Sequence, residues 1–297
     1  MNTYQEMLMS GQMQLMDAGI EEIEAKSCAW ILFSYCFQMS RVDFMMECLS
    51  FREMTDDDQK HYEAYLALIA KRAKGIPVQY LTHEQNFYGY DFYVAEGCLI
   101  PRQDTEVLVE TVVQTATARM ALKKEPTAGT LYDLCTGSGC IAITLSLMVK
   151  WEEVVASDVS KRALAVAQKN NERYENPVTL CEGDLFEAVA MREHYFDVIV
   201  SNPPYIRSDV IETLDTCVRD QEPRLALDGH EDGLFFYQRI IRDARQYLKK
   251  EGLLFVEIGY DQAREVQQLY EENGYKDVRI VADLAGHDRV VWARYDG

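Results

Sequence analysis

The sequence of 297 residues lacks several features that would define its class. It contains no apolar run of about 18 residues, so a transmembrane helix and a membrane partner are not expected. Its first residues show no basic stretch followed by an apolar one, so a secretory signal is not expected either. None of the eight cysteines forms a C-x-x-C pair, and the five histidines show no metal-ligand spacing. We therefore expect a cytoplasmic protein with reduced thiols and no metal.

Basic residues are scarce relative to acidic ones. The chain has 30 Lys and Arg against 49 Asp and Glu, a formal net charge of −19, and both the first 75 residues and the remainder are acidic. Proteins that grip a phosphate backbone neutralise it with Lys and Arg, so a direct nucleic-acid partner is not expected. The hydrophobic fraction of 48% excludes disorder for most of the chain. The length favours one large and one smaller domain.

No proline precedes Pro77, and residues 1–75 are predicted to form a small helical domain. Apolar residues recur there at helical spacing, and Thr55 followed by three aspartates is typical of a helix start. We interpret the many methionines of this segment as flexible core packing. Residues 76–100 follow as a connector. Within it, 78–81 and 86–94 alternate like short strands and predict a β-hairpin.

Strands and helices alternate in the remaining domain, residues 101–297. A helix is expected from 105 to about 124, and four more at 139–150, 161–174, 233–249 and 262–273. Strands are expected at 130–134, 154–157, 178–181, 196–201, 253–258, 277–281 and 289–293. This order predicts an α/β, Rossmann-like fold with a mainly parallel, seven-stranded sheet. The last two strands have no helix between them, so they are predicted to form an antiparallel edge hairpin.

A glycine turn follows the first strand of this domain. Residues 133–139 read Asp-Leu-Cys-Thr-Gly-Ser-Gly, in which glycine allows close approach of a ligand and the helix start favours negative charge. Asp158 ends the second strand, where a carboxylate can accept hydrogen bonds from both ribose hydroxyls. The pattern predicts a nucleoside-containing cofactor. It leaves NAD and S-adenosylmethionine open, with a tight turn that binds no ligand as the structural alternative.

A second motif directly follows the strand at 196–201. Asn202-Pro203-Pro204-Tyr205 forms a stiff turn, because each proline fixes its own φ and restricts the residue before it. The Asn202 side-chain oxygen and the Pro203 carbonyl could accept hydrogen bonds from the two N–H groups of a planar nitrogen. Tyr205 could pack on the planar group and align it. The motif therefore predicts methylation of an amide or aniline-type nitrogen.

These two motifs together resemble the amino-methyltransferases that use S-adenosylmethionine. Further segments are similar to the HemK/PrmC family, the peptide chain release factor glutamine methyltransferases; they lie at 75–81, 87–92, 99–106, 222–227 and 283–289. The resemblance extends from about residue 70 to 294. It implies a class I methyltransferase domain with S-adenosylmethionine as cofactor. The implied substrate is the glutamine in the Gly-Gly-Gln loop of class I release factors.

The same resemblance implies roles for individual residues. Asp158 would hold the ribose, Asp184 and Leu185 would flank the adenine, and residues 135–139 would border the methionine end. The implied cofactor-binding residues are Asp133, Cys135, Thr136, Gly137, Ser138, Gly139, Asp158, Asp184, Leu185 and Asn202, and the implied catalytic residues are Asn202, Pro203, Pro204 and Tyr205.

Three residues carry expectations of their own. Cys135 stands where the family often has glycine, so we expect it to be a wall of the pocket that avoids glycine-only backbone angles and is not a nucleophile. Arg102 and Glu106 are expected to brace the site or the substrate loop, with a structural ion pair as the alternative.

Two other functions stay open at this point. A nucleic-acid base amino-methyltransferase acting on adenine or guanine would share Asn202 to Tyr205, but the net charge and the lack of a basic recognition domain argue against it. A non-catalytic cofactor-binding protein is disfavoured by the intact motif. The helical domain and the hairpin are expected to help dock the release factor.

Overall fold

A computed structural model describes residues 3–48, 50 and 54–297 of the chain. The chain divides into two compact units. The first, here called the helical unit, is Met1–His83 with Asp215–Gln221, and the second, the sheet unit, is Glu84–Leu214 with Glu222–Gly297. The three-part division predicted from the sequence stays a prediction. Within its first part, Met1, Asn2, Leu49 and residues 51–53 lie outside the described residues.

Among its described residues, the helical unit has five consecutive helices and one later short one. In chain order they are α1 (Tyr4–Asp17), α2 (Glu22–Phe37), α3 (Arg41–Glu47), α4 (Asp56–Arg72), α5 (Val78–Thr82) and α10 (Thr216–Arg219). The predicted helix start at Thr55 is confirmed. Its side chain accepts a hydrogen bond from the Asp58 amide, and the Asp58 carboxylate accepts one from the Thr55 amide. This reciprocal capping satisfies two amides that the first helical turn leaves unpaired.

The core of the helical unit is aromatic. Phe33 is fully buried and makes edge contacts with Tyr4, Phe44 and Tyr65 at centroid distances of 5.9, 5.6 and 5.6 Å. Helix α1 comes close to α4 at Gly11, where an added Cβ would lie 1.9 Å from Tyr65 Oη. Only glycine leaves room there for the tyrosine.

The interpretation of the methionines as core packing is wrong for most of those described. Met7 is buried, but five others are exposed: Met9, Met13, Met16, Met45 and Met46. In α1, helical periodicity gives the reason. The buried face of this helix already contains Tyr4, Met7, Leu8 and Leu15, so Met9, Met13 and Met16 point outward; Met45 and Met46 are exposed on α3.

The strand expected at 78–81 is also wrong, because these residues lie in helix α5. The carbonyl of Pro77 accepts hydrogen bonds from the amides of Tyr80 and Leu81 at 3.1 and 3.3 Å. Proline is well suited to the start of a helix, since its fixed φ is close to helical and its missing N–H is not needed there. Alternating apolar residues in so short a run cannot distinguish a strand from one helical turn.

The sheet unit begins with a hairpin of β1 (Glu84–Phe87) and β2 (Tyr90–Tyr93). A hairpin thus lies in the predicted connector, but both of its strands fall within 84–93, whereas 78–81 and 86–94 were the expected pair. The remaining strands are β3 (Thr130–Leu134), β4 (Glu153–Asp158), β5 (Thr179–Glu182), β6 (Phe196–Ser201), β7 (Leu248–Glu257), β8 (Lys276–Ala282) and β9 (Asp288–Arg294). The helices are α6 (Glu106–Lys123), α7 (Cys140–Met148), α8 (Lys161–Arg173), α9 (Ser208–Ile211), α11 (Phe235–Tyr247) and α12 (Ala263–Glu272).

Seven strands form one sheet in the order β5-β4-β3-β6-β7-β9-β8. The first five are parallel, whereas β9 runs antiparallel to β7 and β8 antiparallel to β9. The predicted α/β class, the strand number and the antiparallel edge hairpin are confirmed. The strand order reverses beside β3, the position at which ligands bind in such sheets.

Both faces of this sheet are covered, which explains why its central strands are continuous apolar runs. Tyr132 and Leu134 face one core with residues of α11 and α12, whereas Leu131 faces another with residues of α6 and α7. None of the helices in the described part of the chain is long and apolar enough to cross a bilayer.

Candidate active site

Four neighbouring parallel strands direct the candidate residues to one edge of the sheet. They surround a cavity of about 410 Å³, within the usual size range of small-molecule sites. Its lining includes nine of the predicted residues: Cys135, Thr136, Gly137, Ser138, Asp158, Asp184, Leu185, Asn202 and Pro204. Asp133, Gly139, Pro203 and Tyr205 are not part of that lining.

Asp133 lies beneath the cavity in β3 and is fully buried. Its Oδ2 accepts a hydrogen bond from the Thr136 hydroxyl at 2.6 Å, whereas Oδ1 has no hydrogen-bond partner of ordinary geometry among the described residues. Burial raises the pKa of this carboxyl to about 7, partly offset by the Thr136 hydrogen bond. In this structure Asp133 therefore supports the glycine turn from below.

The glycine turn requires left-handed backbone at three positions. Cys135, Gly137 and Gly139 have φ of 59°, 57° and 81°. Cys135 thus lies in the region that glycine favours, although its Cβ led us to expect otherwise. This region is open to other residues at a cost of roughly 1–2 kcal/mol. A Cβ added at Gly137 would meet no atom within 4 Å, so a side chain there would project into open space beside the cavity.

The thiol of Cys135 is a neutral wall group. Burial raises its pKa, and nearby carboxylates such as Asp158 raise it further. A nucleophilic cysteine needs a lowered pKa, so this environment agrees with a wall residue.

Asp158 joins the glycine turn to the next helix. Its Oδ2 accepts a hydrogen bond from the Gly137 amide at 2.9 Å, and Oδ1 accepts one from the Ser160 amide at 2.8 Å. Burial raises the pKa of the carboxyl, and these amides oppose that shift. The amide of Val159 also acts on this carboxylate, and a carboxylate has about four lone-pair sites, so acceptor capacity remains for a ligand hydroxyl.

Asp184 is paired with an arginine that the sequence reasoning missed. Its Oδ2 lies 2.7 Å from the guanidinium of Arg239, which also lines the cavity. Arg239 belongs to α11, 55 residues further along the chain, and no local motif marks it. Phe235 and Phe236 also line the cavity, and the Arg239 guanidinium lies 5.6 Å from the ring centroid of Phe235.

Asn202 makes a contact that the sequence did not suggest. Its Nδ2 donates a hydrogen bond to Oγ1 of Thr105 at 3.2 Å, and both residues line the cavity. Thr105 belongs to the segment 99–106 that resembles the family, in which only Arg102 and Glu106 were assigned roles. Membership of that segment is the one sequence feature that marks Thr105 as a site residue.

The turn after Asn202 is held rigidly in place. The carbonyl of Tyr205 accepts a hydrogen bond from Gln262 Nε2 at 3.0 Å, and the Tyr205 hydroxyl donates to Glu257 Oε1 at 3.4 Å. Gly229 packs directly on this backbone, since an added Cβ would lie 2.8 Å from the Cα of Tyr205.

Arg102 and Glu106 have separate partners. Arg102 pairs with Glu222, a buried carboxylate whose other oxygen accepts a hydrogen bond from the Ile100 amide. Glu106 accepts a hydrogen bond from the Tyr88 amide in the turn of the hairpin at 2.8 Å. Arg102 is thus in a structural ion pair and also lines the cavity, whereas Glu106 braces the hairpin.

Within the described residues, no group of three or more His, Cys, Asp or Glu side chains could hold a metal ion.

Comparison with known proteins decides the family. The methyltransferase small domain model matches residues 103–230, and the PrmC N-terminal domain model matches residues 6–82. A release factor glutamine methyltransferase of Geobacter sulfurreducens is 44% identical over 76% of this chain and 76% of its own length. The chain belongs to the release factor glutamine methyltransferase family.

One further relative supports the family, and one solved structure is similar in fold. The release factor glutamine methyltransferase of Clostridium acetobutylicum is 39% identical over 89% of this chain and 89% of its own length. The human methyltransferase 10 domain containing protein is 17% identical, with a TM-score of 0.50 over 67% of this chain and 85% of that chain. This last likeness concerns the fold alone. The resemblance stated from the sequence motifs is confirmed.

Proposed function

We propose that this family member transfers a methyl group from S-adenosylmethionine to a glutamine side-chain amide nitrogen. The proposed target is the Gly-Gly-Gln loop of a class I peptide chain release factor, in the cytoplasm. One observation carries the proposal. The Asn202 amide lies in the wall of the same cavity as the glycine turn, and its nitrogen is already engaged by Thr105. Its oxygen is therefore left as the acceptor for a substrate N–H.

The residues that line the cavity support S-adenosylmethionine as its ligand. Asp158 would accept hydrogen bonds from the ribose, and the absence of a side chain at Gly137 leaves space for the methionine end. Asp184 and Leu185 would contact the adenine, and Phe235 and Phe236 line the same cavity. When bound, S-adenosylmethionine supplies an electrophilic methyl group on a positively charged sulfur.

The chain's own residues would prepare the amide nitrogen. Asn202 Oδ1 accepts one N–H of the carboxamide, and the carbonyl of Pro203 stays the predicted second acceptor. Hydrogen bonds to both N–H groups orient the nitrogen and increase its electron density, which the delocalised amide otherwise lacks. No strong base is required, since the nitrogen readily loses a proton once it becomes cationic. Tyr205 keeps the turn rigid through Glu257 and Gln262.

The helical unit is proposed to help recognise the release factor, together with the hairpin of β1 and β2. The match of residues 6–82 to the PrmC N-terminal domain supports this assignment. Deleting residues 1–70 should therefore lower the rate of methylation of an intact release factor. Full retention of that rate would contradict the role.

Methyl transfer from labelled S-adenosylmethionine tests the proposed function directly. The acceptors are an intact class I release factor, the same factor with its loop glutamine replaced by alanine, duplex DNA and ribosomal RNA. Label on the intact factor and none on the alanine variant is expected. Label only on nucleic acid would instead support the base methyltransferase, and transfer to none of these acceptors would overturn the proposed function.

A further inference from the structure

The orientation of the Asn202 amide matters, because its two ends differ chemically. An asparagine presents either an oxygen, which accepts, or an NH₂ group, which only donates. A substrate carboxamide nitrogen also carries two N–H groups and needs an acceptor. A flipped Asn202 would therefore face the substrate nitrogen with donors and repel it. The hydrogen bond from Nδ2 to Thr105 at 3.2 Å sets the productive orientation.

The Thr105 hydroxyl can accept from Asn202 only if its own proton points elsewhere. Thr105 is 3% exposed, so bulk water is not available to take that proton. The neighbouring carboxyl is Glu257, and the Thr105 hydroxyl lowers the pKa of that carboxyl as a hydrogen-bond donor. A Thr105 proton directed at Glu257 would leave the lone pairs of Thr105 free for Asn202.

One carboxylate oxygen of Glu257, Oε2, has no hydrogen-bond donor of ordinary geometry among the described residues. Glu257 ends strand β7, beside the strand that leads into Asn202, and is 1% exposed. Its Oε1 accepts from the Tyr205 hydroxyl at 3.4 Å. Its Oε2 is buried and has no hydrogen bond of ordinary geometry within the described residues. A buried carboxylate oxygen is costly unless a donor satisfies it. The neighbouring Thr105 hydroxyl is a donor that can satisfy the Glu257 carboxylate.

We propose that Glu257 and Thr105 are positioning residues that hold the Asn202 amide with its oxygen toward the substrate nitrogen. This inference rests on the proposed function, since the orientation matters only for a substrate whose acceptor nitrogen carries N–H groups. In this relay (Glu257, Thr105, Asn202), an ionised Glu257 only accepts, so Thr105 donates to it and accepts from Asn202. A protonated Glu257 could donate to Thr105, whose own proton would then be free to select the flipped amide.

The relay predicts dependence on pH. Burial raises the pKa of Glu257 to about 7, with Asp104 raising it further and Arg289 opposing. The other ionisable groups that interact with this carboxyl are Tyr205, Tyr237 and Cys140, whose pKa values are raised by burial, so all three stay neutral in this range. Turnover should fall as the pH drops through the pKa of Glu257. In Glu257→Gln, which cannot ionise, this part of the pH profile should disappear.

Substitutions of Thr105 can distinguish its role in orienting Asn202 from a role in packing alone. Thr105→Val keeps the shape and removes the hydroxyl, whereas Thr105→Ser keeps the hydroxyl and is the matched control. We expect kcat of Thr105→Val to fall at least about tenfold, the equivalent of one hydrogen bond. The Kd for S-adenosylmethionine should stay within about threefold, and Thr105→Ser should restore most of the turnover. Unchanged turnover in Thr105→Val, or an equal loss of cofactor affinity, would overturn the role of Thr105.

A second measurement does not depend on activity. In ¹⁵N-labelled protein, the Asn202 side-chain signals can be assigned by their loss in Asn202→Ala. They should shift with pH near 7 in the wild-type protein and not in Glu257→Gln. Asn202 signals that do not shift near pH 7 in the wild-type protein, or that shift equally in Glu257→Gln, would overturn the relay. If the wild-type protein labelled no release factor, the proposed function would fail, while these signals would still decide whether the relay exists.

Discussion

The side-chain amide of Asn170 donates a hydrogen bond to the carbonyl oxygen of Ser138 at 2.9 Å. The same side chain accepts from the Tyr93 amide at 2.6 Å and donates to the Tyr93 carbonyl at 2.9 Å. Asn170 is fully buried in α8. One side chain therefore joins the glycine turn to the second strand of the hairpin, and it sets the position of the turn that lines the cavity.

Replacing Asn170 by alanine should loosen this turn. Three backbone groups would lose their partner in a buried place, so we expect a loss of about 3 kcal/mol in the free energy of unfolding. The affinity for S-adenosylmethionine should also fall several-fold. Urea unfolding and calorimetric titration measure the two effects. Gln168→Ala, an exposed change on the same helix, is the control and should change neither. A stable Asn170→Ala protein with normal affinity would contradict this anchoring role.

Replacing Asn202 by alanine should damage turnover far more than cofactor binding. The proposed acceptor for the substrate amide would be lost, and removal of one well-placed hydrogen-bonding group commonly lowers kcat about 100-fold or more. The Kd for S-adenosylmethionine should stay within about threefold. Steady-state kinetics on the release factor and calorimetric titration of the cofactor give the comparison. Equal losses of turnover and affinity would count against the acceptor role.

Replacing Asp158 by alanine should weaken cofactor binding more than it lowers turnover. The carboxylate is the proposed ribose acceptor and also fixes the Gly137 amide, so its removal should weaken cofactor binding about tenfold or more. Turnover at saturating cofactor should fall less. Asp209→Ala removes an exposed carboxylate of the same unit and should leave the Kd unchanged. Unaltered affinity in Asp158→Ala would rule out the ribose assignment.

The buried carboxyl of Asp133 should make stability depend on pH. Its pKa is about 7 in the folded protein, against about 3.9 for an aspartate in an unfolded chain. Between these values the folded state binds the proton more often than the unfolded state, so the free energy of unfolding falls as pH rises from about 4 to 7.

Asp133→Asn cannot titrate and should remove this contribution. The wild-type protein should therefore lose up to about 1.4 kcal/mol per pH unit more than the variant across that window. Urea unfolding at half-unit intervals between pH 4.5 and 7.5 measures both slopes. Parallel curves would show that Asp133 titrates in the folded protein as it does in the unfolded chain.

Replacing Gly11 by alanine should destabilise the helical unit. Inside a helix this change usually stabilises by about 1 kcal/mol. Here the new Cβ would collide with Tyr65 Oη, which is buried and donates to the Leu8 carbonyl at 3.2 Å. We expect a net loss of about 1–3 kcal/mol, typical of an overpacked core. Thermal unfolding monitored by circular dichroism would detect it, with exposed Met13→Ala as the control. A raised melting temperature would contradict the close contact.

Most of the secondary structure could be predicted from local patterns. Strand β3 and helix α8 lie within one or two residues of their expected bounds, because continuous apolar runs and helical spacing are strong local signals. The expected strand at 78–81 failed because four residues are too few to show a period. The prediction that the methionines pack in the core was wrong because composition does not indicate which face of a helix a residue occupies.

The order of residues in the chain by itself determined the class of fold, the two motifs and the family they indicate. These depend on backbone preferences and spacing within short segments. Only the tertiary structure decided that Thr105 accepts from Asn202, 97 residues away, and that Arg239 pairs with Asp184. Such contacts require the packed sheet and helices to bring distant segments within 3–4 Å, and no local propensity encodes that distance.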